Sequence, residues 1–545
     1  VVIVYGLFAA ALIRLSRHFA GWVLQALPNA TPASMDKRTR VVIYGAGTTG
    51  IRLLGALSDS RDYKAVAFID NDKTLWGRVV QGITVHRAEK LRNLIEKQRV
   101  REVFLALSSA ARTERRNIIR MLEPYPVLVK TLPGLDEIAS GRVEVSDLRP
   151  IDVEDLLGRD PVPPEPELLD KDIRDKCVMI TGGGGSIGSE LARQLLPLGP
   201  RRLILFDLSE AALYEIETEV RDAIRKLRAE AQTAGKPSHD VQVVTILGSV
   251  LDGRLMRDVF AAHRVQTVYH AAAYKHVPIV EANPVTGLRN NTFGTLIAAE
   301  SAIDTGVEKF VLVSTDKAVR PTSIMGASKR LAEMTLQALA AESGSSTIFT
   351  IVRFGNVLDS SGSVVRRFRQ QIKDGGPVTV THPEIIRYFM SIPEAAQLVL
   401  QAGAMASGGD VFVLDMGQPV KIDDMARTMI RLSGLEVKDD ANPDGDIEIE
   451  YIGLRQGEKL YEELLIGETT TGTKHPRIMM NSEPFIGLEK LEQEFAALDD
   501  AIDEGDLEEI ETILKRTVEG YTTLPVSPDE FPESEEWPTA TRTLH

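Results

Sequence analysis

An acidic and a basic side chain stand next to each other at the end of one predicted strand. The apolar run at residues 309–314 is typical of a buried β-strand, and Thr315, Asp316 and Lys317 follow it directly. Ligands in open α/β sheets bind outside the carboxyl ends of the strands. A neighbouring acid and base at that place could exchange protons with a substrate. A surface turn pair is the alternative, and the position at a strand end favours chemistry.

A glycine-rich turn earlier in the chain predicts a dinucleotide site. An apolar run at 176–181 is followed by Gly182, Gly185 and Gly188 and by the opening of a helix. Bare backbone lets a pyrophosphate approach, and the free N–H groups of the helix N-terminus face its charge. A second predicted strand ends at Asp207, which would hold the adenosine ribose hydroxyls and repel a 2′-phosphate. The turn alone could be an ordinary loop, but with Asp207 it predicts NAD rather than NADP.

Composition bounds the class of protein. The chain has 545 residues, so two or three domains are expected. Its 43% hydrophobic and 26% charged content is that of a soluble globular protein. A net charge of −15 argues against a nucleic-acid surface. The single Cys177 excludes an intrachain disulfide and a cysteine metal cage, and the nine histidines show no paired ligand spacing, so we predict no metal.

A first α/β unit precedes the glycine turn described above. The strand at 41–44 leads into Gly45, Gly47 and Gly50, and a second strand at 65–69 ends at Asp70. This is again the pattern of half a Rossmann fold. No acid–base cluster accompanies it, so nucleotide binding and a purely scaffolding role both remain open.

These elements predict an α/β fold with two Rossmann-like doubly wound parallel sheets, the second carrying a small substrate-binding subdomain. The first twelve residues would span ~18 Å as a helix, against ~30 Å for the bilayer core, and a basic flank follows. They predict the end of a transmembrane helix, with a buried helix as the alternative. The predicted segments are a membrane remnant and linker at 1–39, a nucleotide-fold domain at 40–150, a proline-rich linker at 151–170, a catalytic domain at 171–480 and an acidic helix and tail at 481–545.

Six segments together carry a family resemblance. They are Thr181-Gly-Gly-Gly-Gly-Ser-Ile-Gly-Ser-Glu190, His270-Ala-Ala-Ala-Tyr-Lys-His-Val-Pro278, Ser314-Thr-Asp-Lys-Ala-Val319, Met325-Gly-Ala-Ser-Lys329, Arg353-Phe-Gly-Asn-Val357 and Gly457-Glu-Lys-Leu-Tyr-Glu-Glu463. The chain resembles the extended short-chain dehydrogenase/reductase superfamily. Within it, the chain is similar over nearly its whole length to membrane-anchored, CapD-like UDP-N-acetylglucosamine 4,6-dehydratases of bacterial polysaccharide biosynthesis.

The resemblance implies a reaction in three stages. NAD takes a hydride from C4 of the sugar, water is eliminated across C5–C6, and the hydride returns to C6. Lys317 would be the base at C5, which requires a lowered pKa, and Asp316 the acid at C6, which requires a raised one. The two side chains must then diverge, because an ion pair would oppose both shifts. Thr315 would bind the C4 oxygen, and Lys329 would hold the nicotinamide ribose.

Met325 departs from the superfamily pattern, because most members have tyrosine at that position. A thioether cannot take the C4 hydroxyl proton. Asp316 or a relay through water is expected to take it instead.

The resemblance also implies the groups that bind cofactor and substrate. Three small residues after a strand would let a flat cofactor lie over its end. The predicted cofactor residues are Gly182, Gly185, Ser186, Ile187, Gly188, Asp207, Ser209, Ala271, Ala272, Ala273 and Lys329. The predicted substrate residues are Lys275, Asn291, Arg353, Asn356, Ser363, Val364, Arg387, Arg455 and Glu458. Surface salt bridges remain an alternative for Arg387 and Arg455, as does a packing role for Lys275.

Two other functions remain open. A nucleotide-sugar 4-epimerase shares fold and cofactor but has no need of the acid–base pair, and a non-catalytic sensor of NAD or UDP-sugar would fit Met325 and the extra domain. We expect a homo-oligomer at the bacterial inner membrane, with its catalytic domains on the cytoplasmic side and no nucleic-acid partner.

Overall fold

The computed structural model describes residues 38–107, 112–132, 144–151, 162–235, 240–342, 346–463 and 470–522. The predicted membrane segment, residues 152–161 of the proline-rich linker and the acidic tail from 523 lie outside the described residues. Among the described helices, none has both the length and the apolar character needed to cross a bilayer. The chain divides into two compact units, residues 1–111 with 127–150 and residues 112–126 with 151–545.

The first unit is built on a seven-stranded sheet. Its elements are β1 (Thr39–Tyr44), α1 (Thr48–Ser58), β2 (Tyr63–Ile69), β3 (Val79–Val80), β4 (Ile83–His86), α2 (Leu91–Gln98), β5 (Glu102–Leu105), β6 (Leu128–Thr131) and β7 (Arg149–Pro150). The strand order is β3-β4-β2-β1-β5-β6-β7, with the five inner strands parallel and both edge strands antiparallel. Val41, Ile43, Phe68 and Phe104 are fully buried in its core. Such continuous burial is what a parallel sheet covered on its faces requires.

The second unit contains the remaining elements. They are α3 (Arg112–Leu122), α4 (Pro166–Asp170), β8 (Cys177–Thr181), α5 (Ser186–Leu195), β9 (Arg202–Asp207), α6 (Glu210–Thr233), β10 (Gln242–Leu247), α7 (Gly253–His263), β11 (Thr267–His270), α8 (Val277–Ala282), α9 (Pro284–Leu288), α10 (Gly294–Thr305), β12 (Lys309–Thr315), α11 (Ile324–Ala341), β13 (Ile348–Phe354), β14 (Asn356–Val357), α12 (Val364–Asp374), β15 (Val378–Val380), β16 (Ile386–Arg387), β17 (Phe389–Met390), α13 (Ile392–Met405), β18 (Asp410–Leu414), β19 (Val420–Lys421), α14 (Ile422–Leu432), β20 (Val437–Lys438), β21 (Ile447–Tyr451), β22 (Thr470–Gly472), β23 (Ile478–Asn481), α15 (Leu488–Glu504) and α16 (Leu507–Thr517).

The main sheet of the second unit has the order β10-β9-β8-β11-β12-β13-β18-β23-β22 and is parallel as far as β18. Strand order reverses direction between β8 and β11, which is where ligands bind in doubly wound folds. Along β8, Val178 and Ile180 join one buried cluster while Cys177 and Met179 join another. Both faces of the sheet are therefore covered, and the predicted fold class is confirmed.

Two smaller groups of elements complete the second unit. Strands β15, β21 and β20 form a three-stranded sheet whose core includes Phe368 of α12 and Met425 of α14. Helix α15 packs on α11, where Phe495 and Leu498 share a buried cluster with Leu331, and α16 packs on α15. The predicted acidic C-terminal helix is therefore part of the core of this unit as far as residue 522.

Candidate active site

The glycine turn between β8 and α5 is built for close backbone approach. Gly182 has φ +67°, and a Cβ there would lie 2.7 Å from the Ala272 nitrogen. A Cβ at Gly188 would lie 2.0 Å from the Gly182 carbonyl oxygen. Neither position accepts a side chain, because the strand, the turn and the helix meet there at backbone distance. The first turn of α5 is thereby held against the end of the sheet.

Asp207 at the end of β9 is fixed beside this turn by backbone donors. The Gly184 N–H donates to its Oδ2 at 2.9 Å, and the Ser209 N–H donates to its Oδ1 at 2.8 Å. Ser209 also caps α6 by accepting from the Ala212 N–H. Each carboxylate oxygen can accept a further bond. The carboxylate is thus held in place with acceptor capacity to spare, as ribose hydroxyls require.

A cavity of about 630 Å³ joins the glycine turn to the ends of β11, β12 and β13. Most of the predicted site residues line it. They are Gly182, Gly185, Ser186, Ile187, Gly188, Ala271, Ala273, Lys275, Thr315, Lys317, Met325, Lys329, Asn356, Ser363, Val364, Arg387, Arg455 and Glu458. The predicted residues outside its lining are Asp207, Ser209, Ala272, Asn291, Asp316 and Arg353.

The predicted acid–base pair forms a direct ion pair. Lys317 Nζ donates to Asp316 Oδ1 at 3.0 Å and to Asn356 Oδ1 at 3.3 Å. Thr315 Oγ1 donates to the same Asp316 oxygen at 2.9 Å. The Asp316 side chain is fully buried, whereas that of Lys317 is 21% exposed and reaches the cavity. The prediction that the two side chains point away from each other is therefore wrong.

The charge state of Lys317 follows from this pairing. Burial lowers the pKa of Lys317, but the carboxylates of Asp316 and Glu462 outweigh burial and hold the pKa above its usual value. The opposite shift was expected for a base at C5. Lys317 is therefore held as an ammonium here, and a substrate that displaces Asp316 or neutralises its charge would lower that pKa.

Helix α11 brings Met325 and Lys329 to the cavity. Its N-terminus is capped by Ser323, which accepts from the Gly326 N–H, and by Glu281, which accepts from the Ile324 N–H at 2.7 Å. Met325 lies in the first turn and is 2% exposed. Lys329 Nζ donates to the Val313 carbonyl at 2.9 Å, and burial lowers the pKa of Lys329 to about 8. The lysine thus has a fixed position and a titration near neutral pH.

Asp316 keeps one oxygen unsatisfied. Its Oδ2 is buried and has no hydrogen-bond partner among the described residues. A Cβ at Gly355 would lie 3.0 Å from that oxygen, so a glycine leaves the space beside it open. An unpaired carboxylate oxygen in a buried place is costly unless a ligand or proton satisfies it.

Arg353 was predicted to bind substrate, and the structure corrects this. Its side chain is fully buried and donates from Nε to Glu333 Oε1 at 2.7 Å and from Nη2 to Glu483 Oε2 at 2.7 Å. Arg330 pairs with the same two glutamates, and Ser314 donates to Glu333. The guanidinium therefore has no donor turned to the cavity and ties β13 to α11 and to the segment after β23.

Asn291 is a second correction. Its amide oxygen accepts from the Tyr274 N–H at 2.8 Å, and its amide nitrogen donates to the Tyr274 carbonyl and to Ser328 Oγ. The residue is fully buried. It holds the segment after β11 against α11 and does not reach a substrate.

The arginines at the far end of the cavity differ in their pairing. Arg387 donates from Nη1 to the Ile386 and Leu460 carbonyls and from Nη2 to Glu458 Oε1 at 3.2 Å. Arg455 and Arg367 line the cavity near each other, and the pKa of Arg367 is lowered by burial and by the charge of Arg455. Two neighbouring guanidinium groups at one cavity wall form a site for an anion.

Ser363 stands close by, directly before α12, which begins at Val364. Its hydroxyl is buried and has no partner in the part of the chain that the structure describes. Sequence reasoning missed Arg367, which lies in the second turn of the same helix. The only signal was a run of arginines after a Ser-Gly-Ser turn, which does not say which of them faces inward.

Lys275 and His276 line the large cavity and also the smaller cavity described below. Burial lowers the pKa of each, with Arg366 adding to the effect on Lys275 and Lys275 to that on His276. A Cβ at Gly362 would lie 2.3 Å from His276 Cε1, so the imidazole packs on the loop before α12.

A smaller cavity of about 200 Å³ continues beyond Lys317. Asn356, Arg387, Arg455 and Glu462 line it together with Lys317. Glu462 lies in one of the six segments that carry the family resemblance, but no feature of the sequence assigns it a role. In the described residues, no three His, Cys, Asp or Glu side chains are grouped as a metal site.

The chain is similar to known proteins over most of its length. A family model described as "Polysaccharide biosynthesis protein" matches residues 178–483. "Capsular polysaccharide biosynthesis protein CapD" of Staphylococcus aureus is 43% identical over 440 residues, covering 79% of this chain and 69% of that protein. A "UDP-glucose 4-epimerase" of Rickettsia rickettsii is 33% identical over 295 residues, covering 54% of this chain and 79% of that one. Among solved structures, Pen from Bacillus thuringiensis has 31% identity and a TM-score of 0.50, covering 57% of this chain and 88% of that chain.

Proposed function

Because this chain belongs to the polysaccharide biosynthesis protein family, we propose that it is an NAD-dependent nucleotide-sugar 4,6-dehydratase. Its substrate is UDP-N-acetylglucosamine and its product the 4-keto-6-deoxy sugar nucleotide. The observation that carries the proposal is the Asp316–Lys317 pair at the end of β12, with Lys317 lining the same cavity as the glycine turn. Dehydration across C5–C6 requires such a pair, whereas hydride transfer alone does not.

The residues present fit NAD. Because a Cβ at Gly182 or Gly188 would collide with neighbouring backbone, the bare turn stays packed against the N-terminus of α5, whose free N–H groups would face a bound pyrophosphate. Asp207 would accept the adenosine ribose hydroxyls, and Lys329 would hold the nicotinamide ribose. When bound, NAD supplies hydride acceptance at C4 and hydride return at C6.

Thr315 and Asp316 would move the C4 proton that Met325 cannot take. The Thr315 hydroxyl already donates to Asp316. The C4 hydroxyl can therefore pass its proton to Thr315 Oγ1 while Thr315 passes its own to Asp316 Oδ1. The protonated Asp316 is then the source of the proton that the departing C6 hydroxyl needs. Because Asp316 does not line the cavity, that proton would return through Thr315 Oγ1, which does. A neutral Asp316 no longer holds Lys317 as an ammonium.

Lys317 would act at C5 once that charge is removed. As a neutral amine it takes the C5 proton, which the C4 ketone has made acidic, and the C6 hydroxyl leaves as water with the proton from Asp316. After the hydride has returned to C6, Lys317 gives its proton back to C5. The ammonium proton of Lys317 would leave to solvent through the cavity when Asp316 is protonated, and Lys317 would take one back when Asp316 is again a carboxylate. Over the whole cycle, no external acid or reductant is consumed.

The diphosphate would bind at the other end of the large cavity. Arg455 and Arg367 offer guanidinium donors there, and the unpartnered Ser363 hydroxyl and the N-terminus of α12 lie beside them. Homo-oligomerisation and attachment to the bacterial inner membrane through the N-terminal segment are further parts of the proposal.

A nucleotide-sugar 4-epimerase is the second candidate. It is favoured by the Rickettsia rickettsii relative, whose name is UDP-glucose 4-epimerase. An epimerase re-reduces C4 from the other face and has no use for a base at C5.

Mass spectrometry of UDP-N-acetylglucosamine after incubation with the purified chain, without added reductant, separates the two. A dehydratase yields a product lighter by one water, and Lys317→Ala or Asp316→Asn abolishes it. A product of unchanged mass but altered C4 configuration would replace the proposal by the epimerase.

A further inference from the structure

Glu462 is a buried carboxylate at the wall of the smaller cavity. Its side chain is 3% exposed, and its Oε1 lies 3.6 Å from Lys317 Nζ and 3.7 Å from Arg387 Nε. Its Oε2 is buried without a hydrogen-bond partner in the described part of the chain. A buried carboxylate with one oxygen shared between two cations and the other unsatisfied is not explained by folding stability alone.

The groups that face Lys317 come from four elements. Asp316 follows β12, Asn356 begins β14, Arg387 ends β16, and Glu462 follows β21 in the chain. Asp316 lies behind Lys317 and lines neither cavity, whereas Glu462 lines the cavity that Lys317 enters. Of the two carboxylates beside Lys317, Glu462 is therefore the one that a ligand in the cavity can reach.

Glu458, four residues earlier in the chain, shows the contrast. Its Oε1 accepts from Arg387 Nη2 and from Thr381 Oγ1, and its Oε2 accepts from the Arg455 N–H. Both of its oxygens are engaged in holding the cavity wall. Within the described residues, Glu462 makes the two longer ionic contacts and no hydrogen bond, so its negative charge acts on Lys317 and Arg387.

Resting on the proposed function, we propose that Glu462 is a positioning residue that holds the Lys317 ammonium at the cavity between substrate turnovers and couples it to Arg387. When Asp316 is protonated during the reaction, Glu462 is the remaining carboxylate beside Lys317. It keeps the amine in place at C5 and raises its affinity for the proton that it must later return.

The test is the pH at which Lys317 becomes a neutral amine. Reductive methylation with formaldehyde and cyanoborohydride modifies neutral amines, and peptide mass spectrometry reports Lys317 separately from other lysines. Glu462→Gln removes the charge and keeps the shape of the side chain. In this variant, the pH at which half of Lys317 is labelled should be lower by about one unit or more than in the unaltered chain. Glu462→Asp should restore the midpoint at least in part.

Glu463→Gln is the matched control. Glu463 is the next residue, is 42% exposed, and pairs with Arg320 and Lys459. Its loss should leave the midpoint unchanged. An equal midpoint for Lys317 in the unaltered chain and in Glu462→Gln would overturn the inference.

Turnover separates this inference from the proposed function. With UDP-N-acetylglucosamine, Glu462→Gln should lower kcat by about 10- to 100-fold through misplacement of the amine. The acid limb of its pH profile should move in the same direction as the labelling midpoint. If the unaltered chain forms no dehydrated product, the proposed function fails, while the labelling shift still decides the role of Glu462. If the chain turns over and Glu462→Gln matches it in kcat and pH profile, only the role of Glu462 fails.

Discussion

The two units contain the same glycine turn and differ in what surrounds it. Gly45 and Gly182 both have positive φ, of 107° and 67°. A Cβ at Gly50 would lie 1.9 Å from the Gly45 carbonyl oxygen, and one at Gly188 would lie 2.0 Å from that of Gly182. The turn geometry is therefore a property that both Rossmann-like sheets share.

The aspartates that follow the second strands are matched as closely. Asp70 accepts from the Ala46 N–H at 2.7 Å and the Asp72 N–H at 2.8 Å. Asp207 accepts from the Gly184 N–H at 2.9 Å and the Ser209 N–H at 2.8 Å. In each unit the carboxylate locks the glycine turn to the neighbouring strand end.

The units diverge at the next strand ends. In the first unit, within 38–107 and 127–132, β5 and β6 are followed by the buried apolar residues Ala106 and Leu132. In the second unit, β12 leads into Thr315, Asp316 and Lys317. The two units therefore share the glycine turn and differ at these strand ends, where the second unit carries the acid–base pair on which the proposed function depends.

The strongest test of that difference is Lys317→Ala. It removes the proposed base at C5 and should lower kcat for dehydration by about 10²- to 10⁴-fold. The readout is formation of the dehydrated sugar nucleotide, with Glu463→Gln as control. Undiminished turnover by Lys317→Ala would mean that the chemistry does not depend on this strand end.

Paired alanine substitutions in the two turns come next. Gly188→Ala and Gly50→Ala both force a Cβ onto a carbonyl oxygen and should each destabilise their own unit by about 1–3 kcal/mol. Only Gly188→Ala should abolish NAD binding, measured by calorimetry beside thermal unfolding. Loss of NAD binding in Gly50→Ala would show that the first turn takes part in it.

Paired asparagine substitutions probe the ribose site more gently. Asp207→Asn should weaken NAD binding by about tenfold, because a hydrogen bond to a charged acceptor contributes ~1.5 kcal/mol or more. Asp70→Asn should leave the NAD dissociation constant unchanged. Equal weakening in both variants would contradict the division of roles drawn above.

The pKa values of two lysines, Lys130 in the first unit and Lys329 in the second, give the smallest and most specific contrast between the units. In the first unit Lys130 pairs with Glu102 at 2.8 Å and with the Tyr63 hydroxyl; burial lowers the Lys130 pKa, but these partners raise it above the usual value. In the second unit burial dominates, and the pKa of Lys329 falls to about 8.

The sign of the resulting pH dependence follows from proton binding. Above about pH 8 the unfolded chain holds a proton on Lys329 that the folded chain has released. Lys329 therefore makes the free energy of unfolding rise with pH. The rise ends when the lysine of the unfolded chain also titrates, at about pH 10.4. Lys329→Met should flatten that rise in denaturant unfolding measured between pH 7.5 and 10. If the slope of the unfolding free energy against pH is unchanged in Lys329→Met, the pKa of Lys329 is not lowered in the folded chain.

Much of the fold followed from sequence because its signals are local. The apolar strands, the two glycine turns and the acidic residues after the second strands are read within some 30 residues of chain. The end of β12 and the start of α11 were placed by the same reasoning, and Lys329 is the fourteenth residue after Thr315. Their convergence on one cavity follows from the parallel topology.

The mistaken residues depended on partners far away in sequence. Arg353 has the charge expected of a residue that binds phosphate. It forms a buried ion pair instead with Glu483, which lies 130 residues later in the chain. The Asp316–Lys317 ion pair was likewise a matter of side-chain direction, which strand periodicity does not specify for residues beyond the strand end.

The late pairing of Arg353 has a consequence for synthesis of the chain on the ribosome. Glu333 is made 20 residues before Arg353, but Glu483 follows 130 residues after it. At ordinary elongation rates that interval lasts about 7 to 26 s. Throughout it Arg353 has only one of the two glutamates that pair with it in the finished fold, so the second unit reaches its final packing only after Glu483 has been translated.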